Sequence, residues 1–219
     1  MKKLIILSSF LFFFIHSIFA GPHIEPYYLQ TVGSLGEVKE KSRSSAANRE
    51  FVHKGNLYGL KVGWNYKENI AAGLDFGLSS SKWTLDSPAS IKTAAQLAGT
   101  SLTDEFNGRH YGIFAATRLK GGIVSNLGLY YTELTDNNNN SVTPKNDKLT
   151  GLTTAVGVGY VIAKIFKIGF EWRGTEYDGY KDDSTGRTYT LPDGIVGSGK
   201  FYAKEFYLSF SIPLSIGKK

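Results

Sequence analysis

Stretches of about ten residues in which apolar or aromatic side chains alternate with Gly, Ser, Thr or a charge recur along most of this chain, from Tyr58, Leu60, Val62, Trp64, Tyr66 to Tyr202, Lys204, Phe206, Leu208, Phe210, Ile212. Successive side chains of a strand point to opposite faces, so each stretch carries one apolar face and one small or polar face. No segment after residue 20 is apolar for even 12 residues, so none spans a bilayer as a helix. Alternation opens the other route, because a strand that crosses a bilayer needs only every second residue apolar. The predicted fold class is all-β: an eight-stranded antiparallel up-and-down transmembrane β-barrel.

The strands are predicted at residues 23–34, 55–67, 70–84, 107–119, 122–135, 149–163, 165–179 and 199–214. Tight turns at Glu68-Asn69, Lys120-Gly121 and Ala163-Lys164 join three hairpins, while the connections at 35–54, 85–106, 136–148 and 180–198 are long and polar. Short turns on the periplasmic side and long loops outside are the asymmetry of outer-membrane barrels. An even strand count also returns both termini to the periplasm.

Met1 to Ala20 has a basic start (Lys2, Lys3), an apolar run from Leu4 to Phe19 and a small residue before Gly21. This is the layout of a secretory signal peptide. The expected organisation is therefore a signal peptide over 1–20, cleaved on export, and one barrel domain over 21–219. Ile18 is a poor residue for that cleavage site, and an uncleaved helical anchor is the alternative, although the run is short for a bilayer span. Without Lys2 and Lys3 the chain has 23 basic and 19 acidic residues, an excess too mild and too dispersed to imply nucleic acid. The absence of cysteine excludes a thiol-anchored lipoprotein, a disulfide scaffold, a cysteine nucleophile and a thiolate metal site.

The apolar parity gives outward positions such as Ile70, Ala72, Leu74, Phe76 and Leu78 in the third strand and Phe166, Ile168, Phe170 and Trp172 in the seventh. Aromatics recur at both ends of these stretches. Tyr58, Tyr111, Tyr131, Trp172 and Tyr202 fall toward the long loops, and Tyr66, Phe166 and Phe210 toward the short turns. Amphipathic rings favour the headgroup level of a membrane, which makes these residues candidate lipid-interface girdles, although β-sheets everywhere are rich in Tyr and Phe. The first strand, with Pro26 and Tyr27-Tyr28, leaves open which parity faces lipid.

The opposite parity is small or charged. Lys61, Asp75, Arg118, Lys167, Glu171, Arg173 and Glu205 place four cations and three anions on one inner surface. An eight-stranded barrel has an interior just wide enough to be filled by side chains, and isolated buried charges are very costly. These residues are expected to form an ion-pair network that plugs the lumen, with Glu171 and Glu205 competing for Arg173, Arg118 or Lys61. A proton or ion path through the same charges is the alternative.

With its signal peptide, eight amphipathic strands, three tight turns, four long loops and Gly-rich segments such as Gly55-Asn56-Leu57-Tyr58-Gly59 and Ala155-Val156-Gly157-Val158-Gly159-Tyr160, the chain resembles the small outer-membrane β-barrels, the OmpA-, OmpX- and opacity-like proteins. The resemblance covers residues 22 to 214. It implies residence in the outer membrane among lipid and lipopolysaccharide, insertion by the barrel-assembly machinery, and a monomer without cofactor or metal. Such barrels usually end on an aromatic residue. Here Phe210 is followed by a tail that ends in Gly217-Lys218-Lys219.

Three functions are open to such a barrel. The first is a structural or surface-interaction, adhesin-like role through the four loops, with a host or extracellular ligand as partner. The first loop, Gly36 to Lys54, carries Lys39, Lys41, Arg43, Arg49 and Lys54 against Glu37, Glu40 and Glu50, a basic excess suited to anionic surfaces. The second is lipid A modification. His110 is the best-placed base, but a deacylase that pairs a strand His with Ser two residues on would need Ser where Gly112 stands. The third is a small-solute channel. A soluble lipocalin-like calyx is the structural rival, but it would need its apolar side chains inside. Ser90 to Leu97 is expected to form a short helical turn, and Asp136 to Asn140 a flexible tip. Asp178, Asp182, Asp183 and Asp193 lack the spacing of a calcium loop.

Overall fold

The computed structural model describes residues 19–39, 49–66, 69–87, 103–137, 146–163, 165–183, 185–190 and 200–215. Its strands are β1 (Phe19–Lys39), β2 (Arg49–Tyr66), β3 (Ile70–Ser87), β4 (Thr103–Arg118), β5 (Ile123–Asp136), β6 (Lys148–Ile162), β7 (Phe166–Lys181), β8 (Thr188–Thr190), β9 (Lys200–Ser211) and β10 (Leu214–Ser215). From β1 to β7 each strand pairs antiparallel with the next; β9 pairs with β7 on one side and β1 on the other, and so closes the barrel. Closure leaves no stave with an unpaired edge, the condition for spanning hydrocarbon with strands. The short β8 pairs with β7 beyond the end of the β7–β9 ladder. After Pro213, β10 carries the last stave on along β1, pairing Leu214 with Ile24 and Ser215 with His23.

Burial follows the alternation. In β6, Gly151, Thr153, Ala155 and Gly157 are buried, while Leu152, Thr154, Val156 and Val158 are exposed. The sense is inverted relative to a soluble protein: Phe170 is 63% exposed and Leu127 59%, whereas Asp75 and Arg173 are 0% exposed. This places the apolar face on the outside, where a bilayer is the only solvent that suits it, and it excludes the lipocalin-like arrangement.

The turns at one end are tight. Lys120–Gly122 forms a 3-10 turn, one residue longer than predicted, with Gly121 at φ 82° and Gly122 at φ 88°, backbone that glycine adopts without steric cost. Ile165 N–H donates to the Ile162 carbonyl at 3.1 Å across the β6–β7 turn. Lys67, Glu68 and Lys164 lie outside the described residues.

The other end departs from expectation. Strands were predicted to stop where polar loops begin, yet β1 runs to Lys39, β2 starts at Arg49, β3 runs to Ser87 and β4 starts at Thr103. The reason is an apolar core inside this extension: Trp83, Leu134, Tyr177, Phe201 and Ala203 are buried together, with Phe51, Phe106 and Leu149 packed against them. Asp136, expected in a flexible tip, is buried at the end of β5 and exchanges backbone hydrogen bonds with Asn146 and Asp147. Ser90 to Leu97, Asn138 to Asn140 and Asp193 lie outside the described residues, as do residues 1–18. β1 begins at Phe19, ahead of the expected cleavage after Ala20.

Candidate functional site

The lumen gathers seven buried charged side chains of the strands, Glu25, Lys61, Asp75, Lys167, Glu171, Arg173 and Glu205. At its middle, register sets Lys61 of β2 opposite Asp75 of β3, and the ammonium lies 3.8 Å from the carboxylate. Asp75 also accepts hydrogen bonds from Tyr27 (2.8 Å) and Tyr130 (2.9 Å), and Lys61 Nζ stands 4.4 Å from the Tyr27 ring centroid. Beside them Arg173 Nε donates to Glu171 at 2.7 Å, and Asn126 donates to the other Glu171 oxygen at 2.9 Å. Arg173 Nη1 and Nη2 are buried without hydrogen-bond partners, and Cζ lies 4.6 Å from the Tyr130 centroid, a cation–π contact in place of hydrogen bonds. Tyr130 reaches the axis because Gly128 leaves room: a Cβ there would stand 2.2 Å from the Tyr130 hydroxyl.

Toward the short turns, Glu25 is the hub. It accepts from Lys167 and from Ser211 (2.7 Å), and its second oxygen lies 3.2 Å from His23 Nε2. Toward the long loops, Glu205 lies 2.6 Å from His53 Nε2 and accepts from Tyr207 at 2.5 Å. The His53 ring stacks on Trp83 with centroids 4.6 Å apart and an interplanar angle of 19°, which ties this pair to the apolar core above it. A belt of hydroxyls crosses the wall below that core: Ser79 to His110 Nε2 (2.9 Å), His110 Nδ1 to Thr132 (3.0 Å), then Thr132 to Thr153 (2.6 Å) and Thr153 to Thr175 (2.7 Å).

Of the seven inner charges read from the sequence, Lys61, Asp75, Lys167, Glu171, Arg173 and Glu205 are buried and ion-paired. Arg118 is not among them. It is the last residue of β4, and at the strand end its side chain is exposed at the barrel mouth. The expected competition of Glu171 and Glu205 for one cation does not occur, because Glu205 has His53 and Glu171 has Arg173. Sequence reasoning missed Glu25, His23, Tyr27, His53 and Tyr130. The parity that exposes Ile123, Leu127 and Leu129 also points Tyr130 inward, a signal present in β5.

His110 acquires the serine that the sequence denied it at position 112, since Ser79 of β3 supplies the hydroxyl. A Ser–His contact is the start of an acyl-transfer constellation. Here the pair faces the lumen: His110 is 5% exposed, Thr132 0%, and Leu134 of the apolar core stands over Gly108 beside Ser79. Among the described residues no group of three His, Cys, Asp or Glu is placed to hold a metal ion.

On the outer wall Tyr58 is 55% exposed, Tyr131 47%, Phe210 40% and Tyr111 38%, and Tyr66, Trp172 and Tyr202 are half-buried. Tyr111 and Tyr131 are register partners whose rings stack at 5.8 Å. Beyond them the outward positions turn charged, as in Arg109, the Lys82–Glu105 pair (3.4 Å) and the Lys148–Glu133 pair (3.0 Å).

No protein-family model matches the chain, and no curated protein matches it. Solved structures do. The outer membrane protein AlkL, determined in lipid bilayers, superposes with a TM-score of 0.50 at 9% identity, over 92% of this chain and 94% of AlkL. Neisserial surface protein A gives 0.44 at 10% identity, over 88% and 96% of the two chains. Ail, the attachment invasion locus protein of Yersinia pestis, gives 0.44 at 11% identity, over 89% and 99%. At such identities the likeness is one of fold. Taken with the closed antiparallel ladder and the inverted burial, the likeness to AlkL gives this chain the fold of the small eight-stranded outer-membrane β-barrels.

Proposed function

We propose that the chain is an integral outer-membrane protein, with its short turns in the periplasm and its long loops outside, that acts without catalysis as an envelope element or a surface-interaction module. The observation that supports this most is the filled lumen. Arg173, Asp75, Thr132 and Thr153 have essentially no exposed surface at mid-barrel, and the Trp83 core fills the space toward the loops. Lys61, Asp75, Lys167, Glu171, Arg173 and Glu205, joined by Glu25 and His53, act in this reading as a plug. A plugged barrel presents only its wall and its loops, and loops on a rigid scaffold are where recognition concentrates. The aromatic residues at both edges of the apolar band would fix its depth in the bilayer.

Lipid A modification would need the Ser79–His110 pair to meet lipid, whereas that pair faces inward. Fractionated cells that produce the protein, compared with a deletion strain, test the proposal. The expected result is recovery in the outer-membrane fraction, protease cleavage of the long loops in intact cells, an unchanged lipid A mass spectrum, and binding to anionic host surfaces that is lost with the deletion. Recovery in the aqueous periplasmic fraction or an altered lipid A mass would overturn it.

A further inference from the structure

At the short-turn end the lumen opens into a cup lined by His23 and Glu25 of β1, Asn65 of β2, Arg118 of β4 and Lys167 of β7. Its cavity is about 70 Å3, several times the ~10–15 Å3 that accommodates one water. That is room for a small polar head with a few waters, and too little for a whole metabolite. Two of the lining side chains are cations and one is an anion. Lys167 and Glu25 already satisfy each other, so one positive charge remains, that of Arg118. Its guanidinium is exposed and takes no partner among the described residues.

His23 adds a second, independent observation. It is 5% exposed, its Nε2 is engaged by Glu25, and its Nδ1 is buried with no hydrogen-bond partner. Buried polar atoms are almost always paired, so this orphan, on a residue of a cup lined by polar groups and by Ala71, Ala116, Val124 and Val161, is a polar atom that the protein's own side chains leave unsatisfied.

We propose that this cup binds a carboxylate group, carried either by a small anion or by a polymer that presents acid groups to the barrel mouth; its placement on the periplasmic side rests on the orientation proposed above. A planar carboxylate matches the fork of an unpaired guanidinium in bidentate geometry. Its single charge neutralises the one excess cation. A phosphate dianion would bring a second negative charge toward Glu25, and like charges in a partly buried site repel.

The test uses the full folded chain in detergent micelles, titrated with acetate and with alanyl-alanine, against alanyl-alanine amide and inorganic phosphate, and read by backbone amide NMR shifts. Acetate and the free-acid dipeptide are expected to give saturable shifts at His23, Thr117 and Arg118, the amide none, and phosphate weaker ones. Arg118→Gln is expected to lower the affinity at least about tenfold, the loss of a charge-assisted hydrogen bond, with the unfolding midpoint unchanged, and Arg118→Lys to retain part of it. Equal response to acid and amide, tighter binding of phosphate, or an unaffected Arg118→Gln would overturn the assignment. Co-sedimentation with purified cell-wall sacculi, competed by acetate and lost in Arg118→Gln, identifies a polymer-borne carboxylate, and acetate binding without retention on sacculi identifies a small anion. The micelle titration is indifferent to location, so its failure leaves the membrane reading intact; recovery of the protein in the aqueous fraction does the reverse.

Discussion

From the Arg173–Glu171 pair toward the long loops, the lumen is filled by Trp83, Leu134, Tyr177, Phe201 and Ala203, with His53 stacked on Trp83; toward the short turns it is lined by Glu25, Lys167, Ser211 and His23 around an open cup. The first region is held by packing of large apolar side chains, the second by charge pairing next to solvent. The same barrel wall therefore accommodates a core that behaves like the interior of a soluble protein and a mouth whose stability depends little on any one exposed residue. Function can change at an exposed mouth residue such as Arg118 with little penalty to the fold, whereas the packed end and the buried Glu25–Lys167 pair are constrained.

The contrast can be broken by substitution. The largest effect is expected where the two regions meet: Arg173→Leu leaves Glu171 buried without its cation, and should cost about 3–5 kcal/mol in urea unfolding from lipid vesicles. The double change Arg173→Met with Glu171→Leu should recover most of that loss, because a well-packed apolar pair replaces a buried ion pair at little cost. Trp83→Ala comes next, at about 3 kcal/mol from the cavity it opens among Phe51, Phe106 and Phe201. Gly128→Ala should cost about 2 kcal/mol by driving a methyl group into the Tyr130 hydroxyl, overpacking the same interior from the wall. At the mouth, Arg118→Gln should change stability by no more than about 0.5 kcal/mol, as surface substitutions do. An Arg118→Gln loss comparable with that of Trp83→Ala would erase the distinction between the two ends.

How much of this was legible in the sequence varied from strand to strand. In β3, β6 and β7 the apolar parity is long and clear, so Asp75, Glu171 and Arg173 could be placed inside by counting from Leu74, Phe170 and Trp172. β1 defeated the same count because its ladder to β9 slips between Thr31 and Gly33. His23, Glu25, Tyr27 and Leu29 point inward before the slip, and Gly36 points inward after it, so no single parity holds. His53 was hidden for a different reason: it lies between Arg49 and Lys54 in a segment whose composition reads as loop, yet the β2–β3 ladder pairs it with Trp83, whose ring stacks on it, and Glu205 meets it across the lumen. Arg118 has the right parity but the wrong height, and alternation carries no information about distance from the strand end. The cup is invisible in the sequence because its lining comes from every strand from β1 to β7, residues far apart in the chain that only closure assembles.

The plugged lumen is most directly tested by recording the purified, refolded barrel in a planar lipid bilayer. The filled mid-barrel section predicts silence or rare, small and unstable openings, with steady conductance appearing only when Arg173 or Glu171 is truncated. A large, steady conductance from the unmodified chain would contradict it, and with it the assignment of function to the wall and the loops.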